Sequence, residues 1–214
     1  SLAYVSRGGL KIEKALKTFD VDMNKKILLD IGSSTGGFTD VALQNGAALS
    51  YALDVGYNQL AWKLRQDERV VVMERTNFRY SKLADFEKGQ PNFATIDVSF
   101  ISLKLILPPL HDILTDDGDV VALIKPQFEA GKEYVGKKGI IKDPKIHLMV
   151  LVDITDFAMT HGFNVQELTF SPITGGEGNI EFLAHLKKVP ERGSLNPKID
   201  LTNIVSEAHQ QLDK

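Results

Sequence analysis

Cysteine is missing from this 214-residue chain. Its absence excludes a disulfide framework, a thiol nucleophile and any zinc site built from cysteine. Long apolar runs are missing too, since segments such as residues 120–124 fall far below the ~20 residues that a membrane helix needs. The first residues also lack the long apolar stretch of a secretory signal. Together these absences predict a cytoplasmic protein.

An excess of positive charge is also lacking. The chain has 25 Lys and Arg against 28 Asp and Glu, which gives a formal net charge of −3. This balance excludes nucleic-acid binding driven by overall positive charge, so any contact with RNA requires local basic patches. The hydrophobic content of 43% shows no shift along the chain, which predicts one compact domain over residues 1–214.

Short apolar segments alternate with helical patterns along most of the chain. The predicted buried parallel strands are residues 27–30, 51–54, 70–73, 93–97 and 120–125. The predicted helices are a first amphipathic helix marked by Ile12, Ala15, Leu16 and Phe19, then residues 37–45, 59–65, 101–114 and 144–161. This alternation is typical of a doubly wound, Rossmann-like α/β fold.

The last part of the chain breaks this rhythm. Two apolar segments, residues 163–170 and 180–186, are separated by a loop too short for a crossover helix, so they should pair antiparallel. We therefore expect a seven-stranded, mostly parallel sheet with an antiparallel C-terminal hairpin. Leu201, Ile204, Val205, Ala208 and Leu212 then predict a final amphipathic helix.

A glycine-rich turn follows the first strand, with glycines at positions 32, 36 and 37. Such turns let the backbone approach a ligand closely at a helix N-terminus. The G-x-x-x-G-G spacing matches neither the G-x-G-x-x-G dinucleotide fingerprint nor a P-loop. Asp54 ends the second strand 54 − 30 = 24 residues after Asp30, where it can accept hydrogen bonds from ribose hydroxyls. The pattern favours a nucleoside without a pyrophosphate, and the alternative is a tight turn that serves packing only.

Three charged residues are predicted to meet at one edge of the sheet, and a fourth lies on the first helix. Asp97 and Lys125 end parallel strands, and Glu181 begins an antiparallel strand, which places it at the same edge. Lys11 lies on the basic side of the first helix. We call these four residues the tetrad. The alternative is that each one caps a loop or is solvated, as charges at strand ends often are.

Several longer runs now carry a family resemblance. They are residues 6–11 (SRGGLK), 30–40 (DIGSSTGGFTD), 54–57 (DVGY), 59–65 (QLAWKLR), 74–77 (ERTN) and 125–129 (KPQFE). With them the chain resembles, over nearly its whole length, the TlyA or hemolysin A family, whose core is similar to the FtsJ (RrmJ) ribose 2′-O-methyltransferases. The resemblance implies a class I methyltransferase fold that uses S-adenosyl-L-methionine to methylate a ribose 2′-hydroxyl in ribosomal RNA or ribosomal subunits.

The resemblance also implies roles for particular residues. The Lys-Asp-Lys-Glu pattern of the FtsJ-like enzymes falls on Lys11, Asp97, Lys125 and Glu181, with Lys125 as the general base, Asp97 orienting it, and Glu181 and Lys11 fixing the acceptor ribose. The expected cofactor-binding set is Asp30, Gly32, Ser33, Gly36, Gly37, Phe38, Asp54, Asn77 and Asp97. No metal is expected, because the five histidines lack tight metal-ligand spacing.

A long loop follows Lys125. The 144 − 125 − 1 = 18 residues before Pro144 show no clear periodicity and mix lysines with aromatic residues, which suits phosphates and an unpaired base. The expected RNA-binding residues are Arg7, Lys14, Lys132, Tyr134, Lys137 and Lys138. A mobile, solvated lysine loop is the alternative. Trp62, in a predicted helix, is expected to be core or partly buried packing.

Members of the resembled family usually begin with a small RNA-binding domain. This chain opens at Ser1 without one, so it is expected to be a fragment of a longer protein. Three rival functions remain open: a hemolysin-like membrane-lysing protein, a nicotinamide-dependent enzyme, and a non-catalytic RNA-binding module on a methyltransferase fold. The first lacks a membrane-spanning segment, and the second has the wrong glycine spacing.

Overall fold

The computed structural model describes residues 4–212, so the expectation about the opening residues 1–3 lies outside the described residues. The strands are β1 (Ile27–Ile31), β2 (Leu49–Leu53), β3 (Val70–Met73), β4 (Phe93–Ile96), β5 (Asp119–Ile124), β6 (Phe163–Phe170) and β7 (Phe182–Lys188). The helices are α1 (Gly9–Thr18), α2 (Gly37–Gln44), α3 (Trp62–Arg65), α4 (Leu107–Ile113), α5 (Pro126–Glu129), α6 (Pro144–Thr160) and α7 (Leu201–Leu212).

The strands form one seven-stranded sheet in the order β3-β2-β1-β4-β5-β7-β6. Neighbours from β3 to β5 pair parallel, and β7 pairs antiparallel with both β5 and β6. The predicted sheet, with its single reversed strand and C-terminal hairpin, is confirmed. Because β1 pairs with both β2 and β4, the strand order reverses at β1, and ligands of open α/β sheets bind beside such a point.

Helices cover both faces of the sheet, as the strand sequences require. In β1, Leu29 and Ile31 pack into one buried cluster while Leu28 packs into the other. A fully buried aliphatic side chain contributes about 1.5–3 kcal/mol through its removal from water. A strand buried on both faces therefore reads as a continuous apolar run, which is why these strands could be predicted.

The element ends differ from prediction in a way that affects the site. Asp54, Asp97 and Lys125 lie just beyond β2, β4 and β5, in the loops at the carboxyl edge. The helix predicted at residues 101–114 is shorter, because regular helix begins only at Leu107. The loop after Lys125 contains α5, which begins with Pro126. Proline suits this first helical position because its φ is preset and its missing N–H would have had no partner.

The prediction that Trp62 packs in the core is wrong. Trp62 is 73% exposed, whereas Leu60 and Leu64 are buried. In the single turn of α3 the buried residue is Leu64, and Leu60 is buried from the loop before it, while Trp62 lies on the outer side of the turn. Within residues 4–212, no helix combines the length and the apolar character needed to cross a membrane.

Candidate active site

The turn after β1 is pressed against the end of β4. Gly32 has φ +85°, and a Cβ added there would lie 2.1 Å from the carbonyl oxygen of Asp97, a distance that no side chain allows. The backbone N–H groups of Gly32 and Ser33 both donate to the carbonyl of Leu53, at 2.9 and 3.0 Å. The turn is therefore fixed by its own main chain between β2 and β4.

Asp54 is held by the same turn. Its Oδ2 accepts a hydrogen bond from the backbone N–H of Ser34 at 2.7 Å, and its Oδ1 accepts one from Gly56 at 2.8 Å. Each oxygen retains a further lone pair, since a carboxylate has about four acceptor positions. The carboxylate is thus oriented by backbone donors before any ligand arrives.

A cavity of about 280 Å³ lies beside this carboxylate, and we call it the loop cavity. Asp54, Asn77 and Asp97 contribute polar groups to its wall. The apolar part of the wall includes Leu53, Val55, Phe78, Val98, Ile101 and Ile106. An apolar slot with a few fixed polar groups has the character of a small-molecule site, and its size and acidic group suit a nucleoside.

Four of the nine residues expected to bind the cofactor line the loop cavity: Gly32, Asp54, Asn77 and Asp97. The structure does not bring the others to its wall. Gly36 packs against Leu60 and Leu64, Gly37 lies against Ser6 and Gly9, and Ser33, Phe38 and Asp30 are buried.

Asp30 is the clearest of these departures. Its side chain is fully buried and accepts hydrogen bonds from the hydroxyls of Thr39 at 2.7 Å and Thr95 at 3.2 Å. Burial away from water raises the pKa of Asp30 to about 7, although both threonine hydrogen bonds act in the opposite direction. Asp30 therefore supports the turn from the interior instead of facing the cavity.

The tetrad forms two ion pairs. The Lys125 ammonium lies 2.5 Å from Asp97 Oδ1 and 3.2 Å from the hydroxyl of Ser99. The Lys11 ammonium lies 3.3 Å from Glu181 Oε1, and the side-chain N–H of Gln127 donates to Glu181 Oε2 at 2.8 Å. The convergence predicted for Asp97, Lys125 and Glu181 is found, and Lys11, which the family resemblance added, lies with them.

Burial makes these pairs necessary. Glu181 is 1% exposed and Lys125 is 8% exposed, and an ionised group at such depth is costly unless it is paired and hydrogen-bonded. Glu181 has a donor on each oxygen, while Lys125 has Asp97 and Ser99. Removal of one partner would leave a buried charge uncompensated.

A second cavity, of about 690 Å³, is lined by Lys11, Lys125, Gln127 and Glu181; we call it the tetrad cavity. It shares part of its wall with the loop cavity: Gly32, Ser34, Asp97, Ser99 and Phe100 line both. The two cavities are therefore neighbours, with Asp97 on the wall between them. Phe100 is 90% exposed there, and its ring centroid lies 4.8 Å from that of Phe128.

Three polar residues at the site were missed by the sequence analysis. Ser34 lies inside the predicted turn, Ser99 lies two residues after Asp97, and Gln127 lies two residues after Lys125. Their positions in the sequence could have indicated them, because each residue closely follows the end of a strand, at the sheet edge where ligands bind.

The loop after Lys125 is fixed at its start and exposed in its middle. The Glu129 carboxylate accepts hydrogen bonds from the hydroxyl of Ser102 at 2.5 Å and the backbone of Leu103 at 2.9 Å. Burial raises the pKa of Glu129 to about 7. Residues 131–138, which we call the lysine segment, are mostly exposed.

The predicted RNA-binding residues differ in their surroundings. Lys132 and Lys138 line the tetrad cavity, and Arg7, Tyr134 and Lys137 are exposed. Lys14 differs, because its ammonium donates to the carbonyl of Phe170 at 2.6 Å and lies 3.8 Å above the ring of that residue. Desolvation lowers the pKa of Lys14. Its charge is therefore already engaged within the protein.

The histidines have structural partners. His147 and His209 are joined by their ring nitrogens at 2.8 Å, His185 contacts Asp119 at 2.8 Å, and His111 contacts the carbonyl of Val189 at 2.9 Å. In the described part of the chain, no group of three or more His, Asp or Glu side chains could hold a metal ion.

Comparison with known sequences gives consistent matches. The family model of the FtsJ-like methyltransferases matches residues 4–188. The Bacillus subtilis protein YqxC is 64% identical over 213 residues, which cover 99% of this chain and 76% of that protein. The 16S/23S rRNA (cytidine-2′-O)-methyltransferase TlyA of Mycobacterium tuberculosis is 42% identical over 190 residues, which cover 89% of this chain and 70% of TlyA.

Solved structures agree with these matches. A Streptococcus thermophilus structure that bears a hemolysin name is 57% identical with a TM-score of 0.96, and it covers 100% of this chain and 77% of its own. An S-adenosylmethionine-dependent methyltransferase from Mesorhizobium loti reaches a TM-score of 0.54 at 12% identity, over 81% of this chain and 96% of its own. That second likeness concerns the fold alone. The predicted fold class and the family resemblance are both confirmed.

Proposed function

The chain belongs to the FtsJ-like methyltransferase family, and on this premise we propose that it transfers the methyl group of S-adenosylmethionine to a ribose 2′-hydroxyl of ribosomal RNA. One observation supports this most directly: two ion pairs, Lys125–Asp97 and Lys11–Glu181, each with one buried partner, stand in a cavity that adjoins a nucleoside-sized slot. The rRNA 2′-O-methyltransferase activity named for the relative TlyA supports the choice of acceptor.

The loop cavity fits the adenosine part of the cofactor. Asp54, already oriented by two backbone donors, would accept hydrogen bonds from the ribose hydroxyls, and the apolar wall around Leu53 and Phe78 would receive the adenine. Gly32, Asn77 and Asp97 would complete the contacts. The remaining members of the predicted set would act through the shape of the turn: Asp30, Ser33, Gly36, Gly37 and Phe38.

Lys125 is the proposed general base. A 2′-hydroxyl is a poor nucleophile that must lose its proton as it attacks, and a positioned base provides this. When bound, S-adenosylmethionine supplies an electrophilic methyl group on a positively charged sulfur. The side-chain nitrogen of Lys125 would take that proton, and Asp97 and Ser99 hold this nitrogen in place.

The other members of the tetrad would hold and align the acceptor. Asp97, at 2.5 Å from the Lys125 ammonium, fixes the direction of the base. Glu181, held by Lys11 and Gln127, offers a rigid carboxylate to the acceptor ribose. Alignment of this kind contributes a large part of catalysis in transfers between two bound groups.

The RNA would approach from the tetrad cavity. Lys132 and Lys138 in its wall, with the exposed Lys137, would contact phosphates, and Tyr134 would stack on an unpaired base. Arg7 is a further exposed phosphate contact in this proposal. Lys14 is omitted, because Phe170 already engages its ammonium.

Cofactor choice is the first test. Calorimetric titration of the purified chain with S-adenosylmethionine, S-adenosylhomocysteine and NAD should show binding of the two adenosyl ligands and none of NAD. Binding of NAD alone would contradict the proposal and favour a nicotinamide enzyme.

The acceptor is the second test. Ribosomal RNA and intact ribosomal subunits are incubated with methyl-labelled cofactor, and the product is digested to nucleosides. Label is expected on a 2′-O-methyl ribonucleoside. Label on a base would contradict the 2′-hydroxyl assignment, and cofactor binding without any transfer would favour the non-catalytic module.

A further inference from the structure

One buried amide, that of Asn179, joins the residues just after the lysine segment to the turn that precedes Glu181. The side-chain oxygen of Asn179 accepts a hydrogen bond from the backbone N–H of Ile141 at 3.0 Å. Its side-chain nitrogen donates to the carbonyls of Gly139 and Gly176, each at 2.9 Å. Both Asn179 and Ile141 are buried, so water does not replace these bonds readily.

The orientation of this amide is fixed by its partners. An N–H can only donate and a carbonyl can only accept, so a flipped Asn179 would lose all three bonds. Three hydrogen bonds from one buried side chain to two separate loops cannot be reproduced by any other residue of similar size. The amide thus acts as a specific tie.

The Asn179 side chain bonds to the chain just after the lysine segment ends. Lys138 and Gly139 both have positive φ, 66° and 72°, so the chain turns sharply before it becomes buried at Ile141. The carbonyl of Ile141 lies 3.0 Å from the His147 ring nitrogen. With its N–H on Asn179 and its carbonyl against His147, Ile141 is a fixed anchor for this end of the segment.

The same residue is close to Glu181 in the chain and in space. Asn179 precedes Glu181 by two residues, and its own carbonyl accepts a hydrogen bond from the backbone of Gly175 at 2.8 Å. A Cβ added at Gly175 would lie 2.0 Å from Glu181 Oε2, so the turn at residues 175–179 forms a close wall for that carboxylate. A shift of this turn would therefore change the position open to the Glu181 carboxylate.

From this arrangement we infer that Asn179 is a positioning residue that couples the placement of the lysine segment to that of the Glu181 carboxylate. The inference rests on the proposed function, in which the segment receives RNA and Glu181 holds the acceptor ribose. The loop cavity lies outside this coupling, because Asn179 lines only the tetrad cavity of the two.

The test uses Asn179→Ala and Asn179→Asp, with Asn203→Asp as the matched control on the exposed side of α7. For Asn179→Ala we expect the KM for RNA to rise about 10-fold or more and kcat to fall, while the Kd for S-adenosylmethionine stays within about twofold. Asn179→Ala removes all three side-chain hydrogen bonds, and a 10-fold change corresponds to about 1.4 kcal/mol. If the role of Asn179 were merely structural, the substitution would instead lower the fraction of active protein and weaken the binding of RNA and of S-adenosylmethionine together.

Hydrogen exchange gives a readout that needs no activity. The Ile141 amide should exchange at least about 10-fold faster in Asn179→Ala than in the wild type, since its acceptor is gone. Asn179→Asp should restore part of this protection at mildly acidic pH, because a protonated carboxyl accepts from Ile141 and donates to one carbonyl. The ionised form repels both carbonyls. Rates are corrected for intrinsic exchange and compared with Asn203→Asp.

Two results would overturn the inference: an unchanged Ile141 exchange rate in both Asn179 variants, or faster exchange with the RNA KM and kcat of the control. Asn179→Asp controls for a folding defect. The protection of its Ile141 amide should return when the pH is lowered, and this comparison is made within one protein. If the wild type fails to methylate RNA, the proposed function fails. The exchange data still report whether Asn179 ties the two loops.

Discussion

The loop cavity and the tetrad cavity share a wall but are built in different ways. Around the loop cavity, main-chain groups do the holding: backbone N–H groups fix Asp54, and the packing of Gly32 against the Asp97 carbonyl fixes the turn. Around the tetrad cavity, side chains from α1, the ends of β4 and β5 and the start of β7 hold each other in ion pairs. One half is set by backbone geometry and the other by mutual charge.

This difference has a consequence for binding. A carboxylate held by backbone donors needs no ordering when a ligand arrives, so little of the binding free energy is lost to conformational entropy. Ion pairs between side chains can exchange partners, which suits a site where a proton must move. We therefore expect cofactor affinity and catalysis to respond separately to substitution.

The largest predicted effect separates the two cavities most sharply. Lys125→Met removes the proposed base and keeps an aliphatic side chain of similar length, so methyl transfer should fall by about 10²–10⁴-fold, the usual contribution of a general base. The Kd for S-adenosylmethionine should change by less than about twofold, since Lys125 does not line the loop cavity. Single-turnover transfer and calorimetry measure the two quantities.

The matched control for that substitution is Lys142→Met, at an exposed position that lines neither cavity. It should leave both transfer and cofactor binding unchanged. Wild-type turnover in Lys125→Met would remove the base assignment, and an equal reduction of transfer in both variants would trace the effect to charge in general.

The second prediction concerns the loop cavity. Asp54→Ala should weaken S-adenosylmethionine binding about 10- to 100-fold, because hydrogen bonds to a charged group contribute about 1.5–3 kcal/mol. RNA affinity should stay close to that of the wild type. Calorimetry and a filter-binding assay test this, and Asp54→Asn should be intermediate because one acceptor oxygen remains. An equal reduction of RNA affinity would show that the two cavities are not independent.

The third prediction concerns the support beneath the loop cavity. The pKa of Asp30 is about 7 in the folded protein against an ordinary value of 3.8, so the folded state binds a proton that the unfolded state releases. Its contribution to stability is present below pH 3.8 and is lost as the pH rises towards 7.

Asp30→Asn lacks this titration. The unfolding free energy of the variant relative to the wild type should therefore rise across that pH window by roughly 2–4 kcal/mol, at about 1.4 kcal/mol per pKa unit. Urea unfolding at a series of pH values measures it. A constant difference between the two proteins from pH 3.8 to 7 would contradict the prediction.

The smallest predicted effect concerns RNA binding by the lysine segment. Lys137→Ala with Lys138→Ala should weaken RNA binding several-fold and make its salt dependence shallower by about 0.7 for each single-strand phosphate that the protein no longer neutralises. Cofactor binding should be unaffected. Lys25→Ala with Lys88→Ala removes two exposed lysines near the opposite edge of the sheet. A change of slope as large in that control would mean that the segment is no special phosphate site.

Much of the candidate site could be predicted because strand ends in a parallel sheet meet at one edge. Asp54, Asp97, Lys125 and Glu181 were placed correctly by this rule. Asp30 was not brought to the cavity, because one residue of a strand alternates with the next between faces and no spacing rule shows which way a polar side chain turns. The surroundings of Lys14 could not be predicted either, because its ammonium bonds to Phe170, which lies 156 positions away in the sequence.

The amino-acid sequence by itself determined the alternation of strands and helices, the reversed final strand and the charged residues at the carboxyl edge, because period and burial are written locally in the chain. Only the tertiary structure decided which charges pair, that Trp62 stays outside, and that Asn179 bonds to Gly139 and Ile141. These outcomes depend on distances between segments far apart in sequence, and pairwise contacts of that kind have no local pattern.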